Sequence, residues 1–510
     1  MKNLNHKIKI IILHTLCFLF TAPISVMAEN QEKGVLLFQR KVKKILDNSC
    51  LKKNNFGIKI YSLDRGEAII ELRAKKLFIP ASNLKILTTA VALETLGPNY
   101  RFPTSLFTDG TLKDEVLNGN LYIKGHGDPK FVTEQMWLLV NELRNLPIRR
   151  ITGNIIGDDS FFDNKKRVKT WIKNPGAQAY EAPLGALSFN FNTVQAYVSP
   201  GIKAGNKPKI VIEPDAEYIT LVNQATTLKP GKRNRLIVNR VEHKGFDEIT
   251  VSGGITMSQA RAQYFLNITD PTQYTLSVLK QYLNHAGIKF TGKIEQRRVP
   301  EGAMKLLTHD SEPLTLALQG LNKFSNNFVA EQILKTIGAE KYGQPGTTLK
   351  GLKAFKEYLI TLGYQKNQYK VFDGSGLSRQ NRLSPQIIID VLRHVKNDLG
   401  VYPEFVSALG VMGVDGNVKN RMRGVKSSER ARVKTGTLNF VSALSGYFQS
   451  RDDETFAFSI LMNSLKCSNG RIKKLQDQII REGLKLRRIP TGSIITEKKE
   501  KKPPPSIPAP

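Results

Sequence analysis

The two ends of this chain carry the same kinds of element in mirrored order, and that symmetry restricts its fold more than any other feature of its 510 residues. Near the amino terminus Val35, Phe38, Val42, Ile45 and Leu46 recur at helical spacing, which predicts an amphipathic helix. Gly57 to Leu63 and Ala68 to Leu72 then read as two strands joined by the turn residues Asp64, Arg65 and Gly66. Near the other terminus Ala443 to Phe448 and Phe456 to Met462 read as strands around the polar turn Arg451-Asp452-Asp453, and a helix follows with Ile472, Leu475, Ile479 and Ile480 on one face. Helix and strands come first, strands and helix last, so the two ends are expected to close one α/β domain together. The chain is long enough for two or three domains, each with a proper interior. From about Pro98 to Val299, short alternating runs such as Gly119 to Lys124, Lys209 to Ile212 and Arg235 to Val241 are broken by Gly, Asn, Asp and Pro, and this region reads as mostly β.

The first 28 residues place Lys2, Lys7 and Lys9 before an apolar run from Ile10 to Ala22 and the small-residue ending Val26-Met27-Ala28. That is the order of a cleaved secretory signal, and the run falls short of the roughly 20 residues that span a bilayer. Export with cleavage after Ala28, to the periplasm, is therefore expected. A lipid-anchored reading fails because Leu16 rather than a small residue precedes Cys17. The expected division is then 1–28 signal, 29–97 with 305–490 a discontinuous domain, 98–304 an insert of one or two subdomains, and 491–510 a Lys- and Pro-rich tail that cannot bury a core. Once the signal is gone, Cys50 and Cys467 are the remaining thiols, in a compartment where disulfides persist. No C-x-x-C pair and no H-E-x-x-H spacing occurs, so neither a metal nor another cofactor is expected. The net charge of +32, or +29 without the three signal lysines, describes a strongly cationic surface. An exported protein meets little nucleic acid, so such a surface fits either cell-wall peptides and anionic envelope polymers, with at most peripheral membrane contact, or a Lys-rich composition with no specific partner.

Three short patterns carry chemistry. Ser82 stands in Ile79-Pro80-Ala81-Ser82-Asn83-Leu84-Lys85, ahead of a run from Ile86 to Leu96 free of Gly and Pro, so it should begin a buried helix. Lys85 is three residues on and shares its face, within reach of the hydroxyl. A desolvated lysine there, or one close to a second cation, loses proton affinity and becomes a general base. Ser49 with Lys52 and Ser277 with Lys280 show the same spacing, but the first follows a helix end and the second lies in an ordinary amphipathic stretch, so both read as surface positions. The second pattern is Ser325-Asn326-Asn327, and the third is Lys434-Thr435-Gly436, which occurs once and opens the terminal strands.

Nucleophile, S-x-N and K-T-G in that order resemble the serine penicillin-recognising enzymes. The 243 residues from Ser82 to Ser325 and the 109 from Ser325 to Lys434 are similar to the class C low-molecular-mass penicillin-binding proteins, D-Ala-D-Ala carboxypeptidases and endopeptidases. Gly119 to Pro129, Gly153 to Asp163, Asp373 to Arg379 and Gly413 to Gly416 also resemble that family, and the likeness runs from about Glu32 to Leu486. It implies a transpeptidase-like α/β (α+β) domain, with a central antiparallel sheet flanked by helices and interrupted by the mostly β insert. It also implies peptidoglycan peptides as substrates and β-lactams as covalent inhibitors. In that scheme Ser82 attacks, Lys85 takes its proton, Ser325 relays a proton to the leaving amine, and Asn327 orients Lys85 and the peptide. Lys434, with Thr435, Gly436 and Thr437, holds the substrate carboxylate, while the backbone N–H groups of Ser82 and Thr437 receive the oxyanion. Family members often place an acidic residue shortly after a tryptophan in the insert; here Trp171 is followed by Ile172-Lys173-Asn174-Pro175-Gly176, leaving Glu181 as a substitute. The Asp373 to Arg379 loop, with Gly374 and Gly376, reads as a structural turn, as do His126 and Asp128.

The implied topology makes the first and last strands of the sheet antiparallel neighbours, so Cys50 and Cys467 should meet in a disulfide, at a loop length where the entropic model gives roughly 5 kcal/mol. Two other functions compete. A silent wall-binding protein is disfavoured by the complete motifs, and a β-lactamase or esterase by the long insert and the absence of a recognisable deacylating Glu.

Overall fold

A computed structural model describes residues 33–171, 176–464 and 466–488; the expected signal (1–28) and tail (491–510) lie outside the described residues. One antiparallel sheet of six strands organises the chemistry, in the order Gly410–Val411, Ala431–Leu438, Val441–Gln449, Thr455–Asn463, Phe56–Ser62 and Glu67–Leu72. The amino-terminal hairpin is thus an extension of the carboxy-terminal meander, with Phe56 opposite Met462 and Ser62 opposite Phe456.

Alternation along these strands feeds two separate cores, which is why their central residues are buried on both faces. Ala443, Tyr447, Ala457 and Leu461 point into a cluster with Leu84, Leu87, Leu318, Ile333, Phe355 and Leu392 from the helices of one face. Leu444, Phe448, Phe458, Ile460, Ile58 and Ile60 point into the other, against Phe38 and Val42 of the helix over 33–47 and Ile472 and Ile479 of the helix Asn469–Leu484. Cys50 and Cys467 are joined on this second side, with Cα atoms 5.7 Å apart, across 417 positions of sequence.

The described residues in between form four smaller sheets and two α-helices, Thr133–Asn145 and Pro271–His285. The largest sheet runs Ile294–Gln296, Ile155–Asp158, Leu121–Gly125, Pro103–Thr108 and Met304–Asp310. Its last strand pairs with Pro103–Thr108, so the chain returns to the helices of the first core only at Leu314. Ser277, read above as a surface position, is buried instead, because its hydroxyl accepts the Tyr218 amide at 3.1 Å while Lys280 reaches outward to Glu217.

Candidate active site

Ser82 sits in a single tight turn, Ala81–Leu84, that runs directly into the helix Lys85–Leu96. The turn is tied to the sheet by side chains: Asn83 Nδ2 donates to Ser445 Oγ at 2.6 Å, and Asn463 exchanges hydrogen bonds with both backbone groups of Ile79 at 2.8 and 3.1 Å. Strand Ala431–Leu438 packs against it so closely that a Cβ on Gly436 would lie 2.8 Å from the Pro80 carbonyl and 3.1 Å from the Ser82 nitrogen. Ala81, just before Ser82, is held at φ 47°, and Ser325 at φ 60°. Left-handed backbone of this kind at non-glycine positions persists only where the surroundings enforce it, and it concentrates at working sites.

One helical turn brings the Lys85 amine 3.1 Å from Ser82 Oγ, while its nitrogen donates to Asn327 Oδ1 at 2.8 Å and to the Ser375 carbonyl at 2.6 Å. Asn327 opens the helix Asn327–Tyr342, capped by Asn326 through the Val329 amide, and its own Nδ2 donates to the Tyr180 carbonyl at 3.2 Å. Ser325 stands in the turn before that helix, where Lys434 Nζ reaches its Oγ at 3.0 Å and donates to the Thr435 carbonyl at 2.8 Å. Both lysines are completely buried. Burial pushes Lys85 down to about 7, against the opposing pull of Asp373 and Glu331, and it also pushes Lys434 well below the usual lysine range, with the Lys85 charge acting the same way.

Above these groups opens a cleft of about 460 Å³, lined among others by Ser82, Ser325, Asn327, Thr435 and Thr437, with Arg379 at its edge. Lys85 and Lys434 lie beneath it rather than on its surface. Among the described residues, no carboxylate lines it. Glu181 is buried, with Oε2 accepting the Gly176 amide at 2.9 Å, so it does not face the cleft; residues 172–175 lie outside the described residues. A wider cleft of about 780 Å³ between the terminal helices, lined by Lys41, Lys44, Arg471 and Lys474, contains none of the three motifs.

Ser82 and Ser325 thus share one cleft, with the two buried lysines beneath it. Residues 38–482 match the D-Ala-D-Ala carboxypeptidase 3 (S13) family. The chain belongs to that family. Its members are serine hydrolases, and one relative, a D-alanyl-D-alanine carboxypeptidase of an Actinomadura species, is 31% identical over 82% of this chain and 79% of its own length. The D-alanyl-D-alanine carboxypeptidase DacB of Haemophilus influenzae is 25% identical over 80% of this chain and 85% of its own. The crystal structure of penicillin binding protein 4 (dacB) from the same organism superposes with a TM-score of 0.75 at 24% identity, over 86% of this chain and 98% of that one, and shows the same mixed α/β fold. A second structure of that protein is complexed with a β-lactam.

For this S13 family member, the three motifs named by sequence come together, Ser82, Ser325, Asn327, Thr435 and Thr437 on the cleft and Lys85, Lys434 and Gly436 behind it. The loop from Asp373 to Arg379, read as a turn, does more than turn: it supplies the Ser375 carbonyl to Lys85 and sets Leu377 and Arg379 in the cleft. Asp373 holds the loop by accepting from the Gly376 and Ser378 amides, Asn381 Nδ2 and the Trp171 indole at 2.6 to 3.0 Å. Tyr180, Asn417 and Asn439 also line the cleft, and nothing in their local sequence marks them.

Proposed function

We propose that this chain is an exported serine D-Ala-D-Ala carboxypeptidase of peptidoglycan peptides, acylated at Ser82. The contact set that links Ser82 to Lys85 and Asn327, and Ser325 to Lys434, under one cleft carries this reading. A neutral Lys85 amine takes the Ser82 proton as Oγ attacks the carbonyl carbon between the two D-alanines. The oxyanion is met by the backbone N–H groups of Ser82 and Thr437. As the C–N bond breaks, a proton reaches the leaving nitrogen through the Ser325 hydroxyl, which Lys434 holds at 3.0 Å. One proton leaves Ser82 and one arrives at the leaving nitrogen, so D-alanine departs as a neutral amine bearing its carboxylate, and the ester remains for water to hydrolyse.

Lys434 already donates to Ser325 and Thr435, so the terminal carboxylate meets Thr435, Thr437 and Arg379, with Lys434 behind them. A cleft with no acid among its described lining residues suits that anionic end. A β-lactam offers an amide carbonyl to the same hydroxyl, but its leaving nitrogen stays tethered, and the ester persists. The leader pattern in residues 1–28 supports periplasmic delivery to the wall.

The test is covalent labelling of the mature protein with a fluorescent penicillin, alongside release of D-alanine from a wall pentapeptide. Wild type should label and release, and Ser82→Ala should do neither. A folded wild type that takes no label would overturn the assignment.

A further inference from the structure

The helix Asn327–Tyr342 carries a buried carboxyl that no step above uses. Glu331 is four residues past Asn327, on the same face of that helix, and completely enclosed. Its Oε1 accepts the Gly374 amide at 2.9 Å and the Ser375 amide at 2.8 Å. The carbonyl of the same Ser375 accepts from Lys85 Nζ at 2.6 Å. Both carbonyl-type partners of the Lys85 amine therefore trace to one helix, Asn327 by direct contact and Glu331 through two amides of the Asp373 to Arg379 loop.

Those partners matter because a neutral amine has two hydrogens and one lone pair. Asn327 Oδ1 and the Ser375 carbonyl can accept but not donate. When they take the two hydrogens, the lone pair is the one position left for the Ser82 hydroxyl, 3.1 Å away. Without the Ser375 carbonyl the amine can rotate and offer Ser82 a hydrogen instead, a geometry from which no proton can be abstracted. The loop also presses on the nucleophile's own turn: Gly376 is at φ +80° and a Cβ there would lie 1.9 Å from the Ala81 carbonyl. Thr88 Oγ1 donates to the Gly374 carbonyl at 2.6 Å, so the Gly374–Ser375 peptide is gripped from both sides. Burying a carboxyl is costly, and desolvation with the nearby Asp373 charge pushes Glu331 up to about 8. Its hold is thus on this one loop, through the two amides and the Ser375 side chain.

We propose that Glu331 is a positioning residue for the Lys85 base: by fixing the Gly374 and Ser375 amides it keeps the Ser375 carbonyl on the amine and aims the lone pair at Ser82. This rests on Lys85 being the base, and the test separates the two claims. Second-order acylation by fluorescent penicillin is measured on the full mature chain for Glu331→Ala and Glu331→Gln, each alone and with Lys85→Ala. A displaced acceptor of this kind should slow Glu331→Ala by about 30-fold or more. Glu331→Gln, whose amide oxygen still accepts both N–H groups, should recover most of that loss. In the Lys85→Ala background Glu331→Ala should change the residual rate little, because the route it acts through is gone. Wild-type acylation by Glu331→Ala, or an equal fold-loss with and without Lys85, would overturn the proposal. If near-UV circular dichroism shows Glu331→Ala unfolded, Glu331→Asp decides: it keeps the carboxyl group but withdraws the oxygen from the amides, and a wild-type rate there is equally fatal. A wild type that fails to label at all would instead overturn the Ser82 and Lys85 assignment itself.

Discussion

A lysine with its ordinary proton affinity is neutral in only about one molecule in three thousand at pH 7, whereas Lys85, lowered from 10.5 to about 7, is neutral in roughly half. Only the neutral form can take the Ser82 proton, so acylation should rise with pH through a midpoint near 7, as penicillin labelling rates between pH 5 and 9 will report. A flat profile would exclude Lys85 as the base. The sign for stability is separate: between about 7 and the ordinary lysine range the unfolded chain binds a proton that the folded one has released, so this group makes folding more favourable as pH rises across that window. Ser82, Lys85 and Lys434 were legible in the sequence because residue type and spacing both speak for their chemistry. Ser375 and Tyr180 were not, since each acts through a backbone carbonyl that every residue possesses. Glu331 left a faint trace, a charge inside the apolar run Phe328-Val329-Ala330 and Ile333-Leu334.

Strand Ala431–Leu438 and the turn Ala81–Leu84 approach backbone to backbone, and Gly436 is the position that permits it. Gly436→Ala should push the two apart by a few tenths of an ångström, slowing acylation about tenfold or more, with a change in melting temperature of only a few degrees. Stopped-flow acylation and thermal melts on one preparation distinguish a misplaced nucleophile from a damaged fold. The end strands were readable to within one or two residues because they carry long apolar runs between clear turns, observed as Val441–Gln449 and Thr455–Asn463. The loop from Asp373 to Arg379 was recognisable as a turn from its glycines, yet its purpose depends on carbonyl direction, which composition does not encode.

For the molecule as a whole, the mirrored ends foretold a shared sheet, and the resemblance foretold the Cys50 to Cys467 link. The partition of the insert into four sheets was beyond the sequence, because its strands are short and several pair in parallel after long excursions, as Leu121–Gly125 does with Ile155–Asp158. Replacing both cysteines by serine should lower stability by about 2–5 kcal/mol in denaturant titrations while leaving the penicillin-labelled fraction of folded protein unchanged, since neither cysteine lines the cleft. The pairing of Phe56–Ser62 with Thr455–Asn463 has a further consequence in time. A chain made from its amino end emits its first hairpin almost four hundred residues before the strand that completes it. That hairpin must wait with an unpaired, apolar edge, which is the state most open to wrong partners. The stretch from Ala431 to Asn463 is thus the clasp of the whole, and a ribosome that stops short of it leaves the turn at Ser82 without the strands that anchor it.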